Sequence, residues 1–276
     1  MLIATLGSGS AGNCTLFESD GTRILVDAGF GPRETEKRLN LLGTSLEKVQ
    51  GIVLTHEHYD HMRGAAKIAE KFGIPIYSTE GTLNARNIDR SKVPTVPFAN
   101  NTTFRIGDLS IHARRIVHDA ADPSCFVIEA ADGTRVGIAS DLGIVDAPVL
   151  RHLSKCDGLL LESNHDLDML RAGTYPWSLK RRIMSNYGHL SNDDAMTALQ
   201  KMIGQELKTV VLIHLSKSNN HESIVRSMAS KVVKTTGARL DVLIAAQEHA
   251  IGRMEISRRR GSAKRISGFQ QLRLFA

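Results

Sequence analysis

The 276-residue chain has an ordinary globular composition, with 42% hydrophobic and 23% charged residues, which excludes extensive disorder. No apolar run approaches the ~20 residues that a helix needs to cross a bilayer, and the N-terminal segment lacks the basic start of a secretory signal. Cys14, Cys125 and Cys156 are far apart. This spacing argues against a disulfide framework or a cysteine zinc site, and we expect a cytoplasmic protein with no membrane partner.

The net charge of +6 is concentrated at the C-terminal end. Residues 1–252 contain equal numbers of basic and acidic residues, whereas residues 253–276 contain one acid and seven basic residues: Arg253, Arg258, Arg259, Arg260, Lys264, Arg265 and Arg273. We therefore predict a domain over residues 1–252 and a basic tail over residues 253–276. The tail favours an acidic partner, most simply nucleic acid. A solvated terminus that aids solubility explains it equally well.

In chain order, the first third of the sequence alternates predicted strands and helices. Four short apolar runs bounded by turn residues predict strands: Leu2–Leu6, Thr15–Glu18, Ile24–Val26 and Ile52–Thr55. A helical pattern opens at Pro32 and closes at Gly43, and a second pattern over Asp60–Phe72 ends before Gly73.

The middle of the chain is rich in predicted strands, and the last third alternates helices and strands again. The four middle strands are Thr102–Ile106, Ser110–Val117, Phe126–Glu129 and Arg135–Ala139, the last two joined by a hairpin turn. The later helices are Val145–Leu153, Asp193–Ile203 and Glu222–Thr235, and the later strands are Leu159–Leu161, Thr209–Ile213 and Val242–Ala245. Sheets with helices at both ends predict an α/β layered architecture.

The sequence Thr55-His56-Glu57-His58-Tyr59-Asp60-His61 follows a predicted buried strand and leads into a predicted helix. At such a turn His56 and His58 can face one side while Asp60 and His61 face the neighbouring side. That arrangement suits two metal ions a few ångströms apart, and its nitrogen and oxygen donors suit Zn²⁺ or Mn²⁺. The alternative is a solvent-exposed loop that happens to be rich in histidine.

The pattern His56-x-His58-x-Asp60-His61 resembles the signature of the metallo-β-lactamase-fold hydrolases. Four further motifs of that superfamily follow the same order along the chain: Val26-Asp27-Ala28-Gly29, His118, Ser140-Asp141 and Ile213-His214-Leu215-Ser216. The resemblance covers residues 1 to about 250 and implies a four-layer αβ/βα sandwich.

The same resemblance implies the ligand set of two divalent metal ions. His56, His58 and His118 would hold one ion; Asp60, His61 and His214 would hold the other; Asp141 would lie between them, with Asp27 bracing the loop. Taken alone, His118 or His214 would more often be an ordinary core or surface histidine. The resemblance implies hydrolysis by a metal-bridging hydroxide, with Asp60 both ligand and catalytic residue. The donor set accepts Mn²⁺ or Zn²⁺, and also Fe²⁺.

Three segments bear on the substrate. Gly188-His189-Leu190-Ser191 resembles a motif of nuclease branches that include ribonucleases Z and J, which implies that His189 assists the leaving group or holds a phosphoryl oxygen. His189 could instead simply precede a helix capped by Ser191, with Asp194 in the capping-box position. The loop that carries Ser8, Ser10 and Asn13 could cradle a phosphate, but a tight turn explains its glycines equally well.

The third segment pairs aromatic and basic residues. Tyr175 and Trp177 could stack on bases while Lys180, Arg181 and Arg182 meet phosphates, although a capped amphipathic helix with a core Trp is an equal alternative. The predicted substrate-binding residues are Ser8, Ser10, Asn13, Asn164, His165, Tyr175, Trp177, Arg181, Arg182 and Ser191.

Together these segments look like the YycJ-like (WalJ) group, whose members are described as manganese-supported 5′→3′ DNA exonucleases linked to mismatch repair. The tail after Gly252 departs from that pattern. We expect a dinuclear phosphodiesterase acting on nucleic acid, most simply DNA. Two alternatives stay open: a hydrolase of a thioester, lactone or small phosphodiester with the same centre, and a non-catalytic DNA-binding scaffold. The sequence also leaves strand polarity and oligomeric state open.

Overall fold

Two mixed sheets stacked face to face organise the molecule. The computed structural model describes residues 1–204, 206–245 and 251–258, and within them each sheet has seven strands. The first sheet contains β1 (Leu2–Gly7), β2 (Cys14–Ser19), β3 (Thr22–Val26), β4 (Gly51–Val53), β5 (Ile76–Thr79), β6 (Thr95–Phe98) and β14 (Met254–Glu255). The second contains β7 (Thr103–Ile106), β8 (Leu109–Arg115), β9 (Ser124–Glu129), β10 (Arg135–Ala139), β11 (Gly158–Glu162), β12 (Thr209–Ile213) and β13 (Asp241–Ile244).

Both sheets combine an antiparallel half with a parallel half. The first has the order β14-β1-β2-β3-β4-β5-β6 and is parallel from β3 to β6. The second has the order β13-β12-β11-β10-β9-β8-β7 and is parallel from β10 to β13. Parallel neighbours need crossover connections, and helices lie in these crossovers: α1 (Pro32–Leu41), α2 (Tyr59–Met62), α3 (Ala65–Phe72), α4 (Glu80–Ala85), α5 (Ala147–Leu153), α6 (Leu167–Ala172), α7 (Trp177–Ile183), α8 (Asn192–Met202) and α9 (Glu222–Thr236).

Three apolar layers hold the four-layer sandwich together. Residues such as Phe17, Ile24 and Ile138 fill the space between the sheets. A second layer packs α1 and α3 onto the first sheet, and a third packs α5, α8 and α9 onto the second. The predicted αβ/βα architecture is confirmed. No helix in the described ranges is long and apolar enough to span a bilayer.

The helix predicted over Asp60–Phe72 is wrong in one respect, because it is two helices. Gly64 separates α2 from α3, and its N–H donates to the Ala28 carbonyl at 2.8 Å. A Cβ atom at this position would lie 1.8 Å from the Phe30 carbonyl oxygen. The backbone therefore approaches a neighbouring loop where only glycine fits, and the helical pattern contains no sign of that approach.

Several short elements were not predicted from the sequence: a 3₁₀ turn at Leu46–Lys48 and the elements β5, β6, α4, α6 and β14. The short helix α7 was predicted only as an alternative interpretation of its segment. Each of these elements has seven residues or fewer, so hydrophobic periodicity has little room to appear. Pro97 lies inside β6, where it is tolerated because β6 is the edge strand of its sheet.

The predicted boundary after residue 252 falls inside the folded part of the chain. β14 pairs with β1, the Ile256 N–H donates to the Met1 carbonyl at 2.9 Å, and Ile256 is buried in the core between the sheets. Arg253 forms an ion pair with Glu18 of β2. Residues 253–257 are thus held by the sheet rather than forming part of a tail. The remaining tail cations, from Arg259 onward, lie outside the described residues.

Candidate metal centre

The candidate centre lies where parallel strands of both sheets end. Asp27 follows β3 and the His56 loop follows β4, while Asp141, Glu162 and His214 lie at the ends of β10, β11 and β12. Because these strands are parallel neighbours within their sheets, their carboxyl ends meet at one edge, where open α/β sheets generally bind ligands.

Three of these residues have strained backbones. Asp27, Asp141 and His214 adopt positive φ angles of 61°, 55° and 58°. Non-glycine residues seldom adopt this conformation, and it persists at functional sites where the surrounding structure enforces it. The turn that follows each strand directs the side chain toward the centre.

The structure brings the seven predicted ligands together. The ligand atoms of His56, His58 and His118 lie within 4.8 Å of one another, and so do those of Asp60, His61 and His214. Asp141 lies between the two groups, with its Oδ2 3.0 Å from His61 Nε2 and its Oδ1 3.9 Å from His118 Nε2. Asp141 also groups with His56 and His61, and with Glu162, His189 and His214. The donors thus form one continuous cluster, and their division between two ions stays a prediction.

Each of four ligand histidines has a hydrogen-bond partner at its Nδ1 atom, which orients the ring. His61 Nδ1 lies 2.8 Å from an oxygen of Asp27. His118 Nδ1 lies 3.0 Å from the Gly188 carbonyl oxygen, and His214 Nδ1 lies 2.8 Å from Glu162 Oε1. Thr55 Oγ1 lies 3.0 Å from His56 Nδ1 and also bonds Asp27. Metal-binding histidines generally use one ring nitrogen in this way and offer the other to the ion.

Buried polar atoms at the centre lack hydrogen bonds. His56 Nε2, His214 Nε2 and Asp141 Oδ2 are inaccessible to solvent and make no hydrogen bond among the described residues, although His61 Nε2 lies near Asp141 Oδ2. A buried polar atom without a partner costs about 1–3 kcal/mol. Divalent cations would satisfy all three atoms, so the donor set fits metal binding.

The electrostatics of the centre also favour cations. Burial would raise the pKa values of Asp60 and Asp141, but His214 and His61 outweigh it and hold both below the usual range. Burial would lower the pKa of His214, but the charge of Asp141 and the neighbouring carboxylates of Asp60 and Glu162 raise it to about 10. The carboxylates are thus ionised, and the positive charge that they attract can be supplied by a metal ion in place of a proton.

Glu162 is a site residue that sequence reasoning missed. It is fully buried, and its Oε1 accepts hydrogen bonds from both His189 Nδ1 (2.9 Å) and His214 Nδ1 (2.8 Å). Its Oε2 accepts the backbone N–H groups of Leu142 and Leu190. Burial would raise its pKa, but His189 and the other donors lower it to about 2. Its position at the end of β11, between the strands that carry Asp141 and His214, is the signal that could have found it.

His189 lies at the wall of the centre, partly open to solvent. Its Nδ1 is 3.5 Å from Asp141 Oδ1 in addition to its bond with Glu162. Burial would lower the pKa of His189, but the charge of Glu162 outweighs it and raises the pKa. His189 can therefore carry a proton beside the two ligand groups.

Asp119 is a second carboxylate that the sequence analysis did not predict, and it links His118 to Arg182. Its Oδ1 lies 3.3 Å from His118 Nε2, and its Oδ2 accepts a 2.6 Å hydrogen bond from Arg182 Nε. Arg182 is half-exposed, which leaves its terminal nitrogens available to an anion. Asp119 directly follows His118 in the chain, yet nothing in the local pattern marks it.

An open cavity of about 290 Å³ gives access to the centre. It is lined by Ser10, His58, Tyr59, Asp60, Asp141, Arg182, His189 and His214. Two of the predicted substrate-binding residues, Ser10 and Arg182, thus lie where a substrate would enter.

Five other predicted substrate-binding residues are buried, contrary to the expectation that they face a substrate: Ser8, Asn13, Asn164, His165 and Ser191. Four of them form hydrogen bonds within the protein, whereas neither ring nitrogen of His165 has a hydrogen-bond partner among the described residues. Ser8 Oγ accepts from the His214 N–H, and Asn13 Nδ2 lies 3.0 Å from His61 Nε2. Asn164 donates to the His214 carbonyl, and Ser191 caps α8.

The predicted aromatic and basic segment lies on and beside α7, at the surface. Trp177 and Arg181 are exposed, and Tyr175 is partly buried. Lys180 is buried instead, and its Nζ donates to the carbonyls of Arg171 and Gly173. Trp177 is therefore neither the core residue of the alternative interpretation nor part of the cavity lining.

Comparisons with known proteins agree with this fold. The family model described as "Beta-lactamase superfamily domain" matches residues 22–215. The chain is 35% identical to exodeoxyribonuclease YycJ of Bacillus anthracis, with 85% of this chain and 89% of that protein covered. It is 34% identical to exodeoxyribonuclease WalJ of Streptococcus pneumoniae, with 81% and 87% covered. The solved metallo-β-lactamase-fold protein YhfI of Bacillus subtilis superposes with a TM-score of 0.68 at 18% identity, covering 91% of this chain and 98% of that one.

The fold and the clustered donors define a member of the β-lactamase superfamily, to which the chain belongs. Within that superfamily it belongs to the YycJ-like branch, since its identity to two members extends over most of each chain.

Proposed function

We propose that this protein is a 5′→3′ exodeoxyribonuclease that uses two divalent metal ions. The observation that carries the proposal is the cavity, whose lining combines members of both groups of candidate metal ligands with His189 and Arg182. Its similarity to proteins named exodeoxyribonucleases supports DNA as the substrate.

The roles follow from the positions of the side chains. His56, His58 and His118 would hold one ion, and Asp60, His61 and His214 the other, with Asp141 between them. When bound, two such ions lower the pKa of a water molecule and polarise the phosphate that it attacks. Mn²⁺ and Zn²⁺ both suit imidazole and carboxylate donors, and Fe²⁺ is compatible with them.

His189 would act as the proton donor to the leaving oxygen. Its Nδ1 is committed to Glu162 at 2.9 Å, so Nε2 is the atom that can hold the transferred proton. The charge of Glu162 stabilises the protonated ring against the effect of burial. A positioned acid or base of this kind contributes about 10²- to 10⁴-fold to the rate.

Arg182 would bind a phosphate of the strand at the cavity mouth. Asp119 fixes its Nε, and its terminal nitrogens suit the oxygens of a phosphate. Tyr175, Trp177 and Arg181 are proposed to contact the strand outside the cavity, and the basic residues after Arg258 to contact more distant phosphates. We further propose a cytoplasmic role in DNA repair; Cys14, Cys125 and Cys156 are buried and unpaired, as a reducing compartment allows.

End-labelled single- and double-stranded DNA and RNA, with and without a 5′-phosphate, test the proposal when assayed with Mn²⁺ and with Zn²⁺. We expect stepwise release of nucleotides from the 5′ end of DNA. Asp141→Asn should abolish it with loss of bound metal, because an amide cannot balance two cations; Asp168→Asn, at an exposed carboxylate of α6, is the matched control. Hydrolysis of thioesters or lactones with no cleavage of either nucleic acid would refute the proposal.

A further inference from the structure

Tyr59 stands out because it is an exposed aromatic ring inside the metal-binding motif. It lies between His58 and Asp60 in the chain, lines the cavity, and is 61% exposed. Tyrosine is intermediate in its tendency to be buried, and a smaller polar residue at this position would expose less apolar surface. Exposure alone is common for such residues, but this ring also lines the cavity that leads to the centre, where it can contact a substrate.

The surroundings of Tyr59 hold the ring without covering it. The guanidinium carbon of Arg63 lies over the ring, 5.4 Å from its centroid, and Arg63 Nη2 donates to the Ala11 carbonyl at 3.2 Å. The Tyr59 hydroxyl makes no hydrogen bond among the described residues. The turn of backbone from α2 to the break before α3 thus presents the Tyr59 ring to solvent. Arg63 supports this ring and is itself hydrogen-bonded to the loop that carries Ser10.

Arg182, which lines the same cavity, offers a cation that suits contact with a phosphate. A nucleotide has both a planar base and an anionic phosphate, and single strands are commonly held by aromatic stacking beside cations. A thioester or a simple phosphodiester carries no planar base next to the bond that is cleaved.

We propose that Tyr59 stacks on the base of the terminal nucleotide while its phosphate lies in the cavity, so that Tyr59 selects substrates that carry a base at the cleaved end. This inference rests on the proposed nuclease function. Stacking on an aromatic side chain is sequence-tolerant, since every base has a π-face. Tyr59 therefore distinguishes nucleic acid from other phosphodiesters rather than one base from another.

The test combines three variants of the metal-loaded full chain with two oligonucleotides. One oligonucleotide is ordinary single-stranded DNA, and the other carries abasic residues in place of its first two nucleotides. Tyr59→Ala should lower kcat/KM on the ordinary strand by about 5- to 150-fold, mainly through KM, and should change cleavage of the abasic strand by less than about twofold. Tyr59→Phe should behave like the unaltered protein. Tyr187→Ala is the matched control, because Tyr187 is also 61% exposed but does not line the cavity.

Two results would overturn the inference and leave the nuclease function intact. One is an equal loss on both strands with Tyr59→Ala, accompanied by reduced metal content, which would make Tyr59 a support of the metal loop. The other is full activity of Tyr59→Ala on the ordinary strand. Absence of cleavage by the unaltered protein on every strand would instead overturn the proposed function together with this inference.

Discussion

At the residue scale, Glu162 links the proposed proton donor to the metal ligands. One oxygen accepts from the rings of both His189 and His214, and the other accepts two backbone N–H groups. Because an ionised carboxylate can only accept hydrogen bonds, both rings must carry a proton on Nδ1 to bond with it. A change of its charge or of one oxygen alters the orientation of two rings at once.

Glu162→Gln tests this linkage. Its amide nitrogen must face either two ring N–H groups or two backbone N–H groups, so at least one pair loses its acceptor. We expect kcat to fall by about 10²-fold or more and metal affinity to fall by about 10- to 100-fold, measured by steady-state kinetics and metal titration. Glu129→Gln, at a partly exposed carboxylate that pairs with Arg135, is the control. Normal metal affinity and kcat in Glu162→Gln would contradict the assignment.

His189→Ala separates proton transfer from metal binding. Because His189 is not among the proposed ligands, both ions should stay bound while cleavage of an oligonucleotide slows by about 10²- to 10⁴-fold. The loss should be smaller on a p-nitrophenyl phosphodiester, whose leaving group needs little protonation. Equal losses on both substrates would assign His189 to phosphate binding or packing instead.

At the element scale, close backbone approaches place the metal loop. Gly29 follows the turn at Asp27, and its N–H donates to the Asn13 carbonyl at 2.9 Å. A Cβ atom on Gly29 would lie 1.8 Å from the Asp60 carbonyl oxygen. Three loops from different parts of the chain thus meet where there is no room for a side chain.

Gly29→Ala should therefore displace the loop that carries Asp60 and His61. Backbone atoms cannot yield as a flexible side chain does, so we expect a loss of unfolding free energy of about 3 kcal/mol or more and weaker metal binding. Gly73→Ala, at a left-handed position with open space around it, should cost about 1 kcal/mol. Chemical denaturation and metal titration of both variants measure the difference; equal behaviour would show that the loop is free to move.

His152 on α5 gives a pH-dependent prediction away from the metal centre. Burial lowers its pKa to about 4, and its Nε2 donates to the His112 carbonyl at 3.1 Å. The unfolded chain binds a proton here below about pH 6.5 and the folded protein only near pH 4, so stability falls as pH drops through this window. His152→Gln should reduce the fall between pH 7 and pH 5 by up to about 1 kcal/mol, after allowance for the partial exposure of the ring. Denaturation at both pH values checks this, and an identical fall in both proteins would refute it.

Sequence patterns were sufficient to predict the long strands and the metal-binding motif, because apolar runs and the spacing of donor residues depend only on neighbouring residues. They did not suffice where a distant partner decides the structure. Gly64 divides a helix because Phe30 lies against it, and β14 is ordered by pairing with β1. Ser8 and Asn13 resemble phosphate-binding surface residues in sequence, yet they brace His214 and His61. The local sequence does not show which polar side chains point into the protein.

At the scale of the whole molecule, the described body ends close to its beginning. Lys208 Nζ donates to the carbonyls of Ser257 and Arg258, at 2.8 and 2.9 Å, and β14 lies against β1. The basic residues beyond Arg258 can therefore be removed without cutting into these contacts, whereas a cut after residue 252 would remove a strand.

Truncation after Arg258 tests the proposed role of the tail. It removes Arg259, Arg260, Lys264, Arg265 and Arg273 and no acidic residue. If these cations lie along a strand, the log–log salt dependence of single-strand binding should flatten by up to about 3.5 units, at roughly 0.7 per phosphate. Cleavage of a dinucleotide should barely change, because the proposed ligands all precede residue 215. An unchanged salt slope would make the tail something other than a DNA contact.

The pairing of β14 with β1 has a consequence for synthesis on the ribosome. β1 is translated before the other strands of its sheet, but one of its two edges is completed only by residues 254 and 255. Until then the nascent chain exposes the unpaired backbone of Leu2 and Ile3, and such an edge readily recruits strands from other chains. Folding of the first sheet is thus finished by nearly the last part of the body to be translated, and a ribosome that stalls before residue 254 leaves an aggregation-prone product.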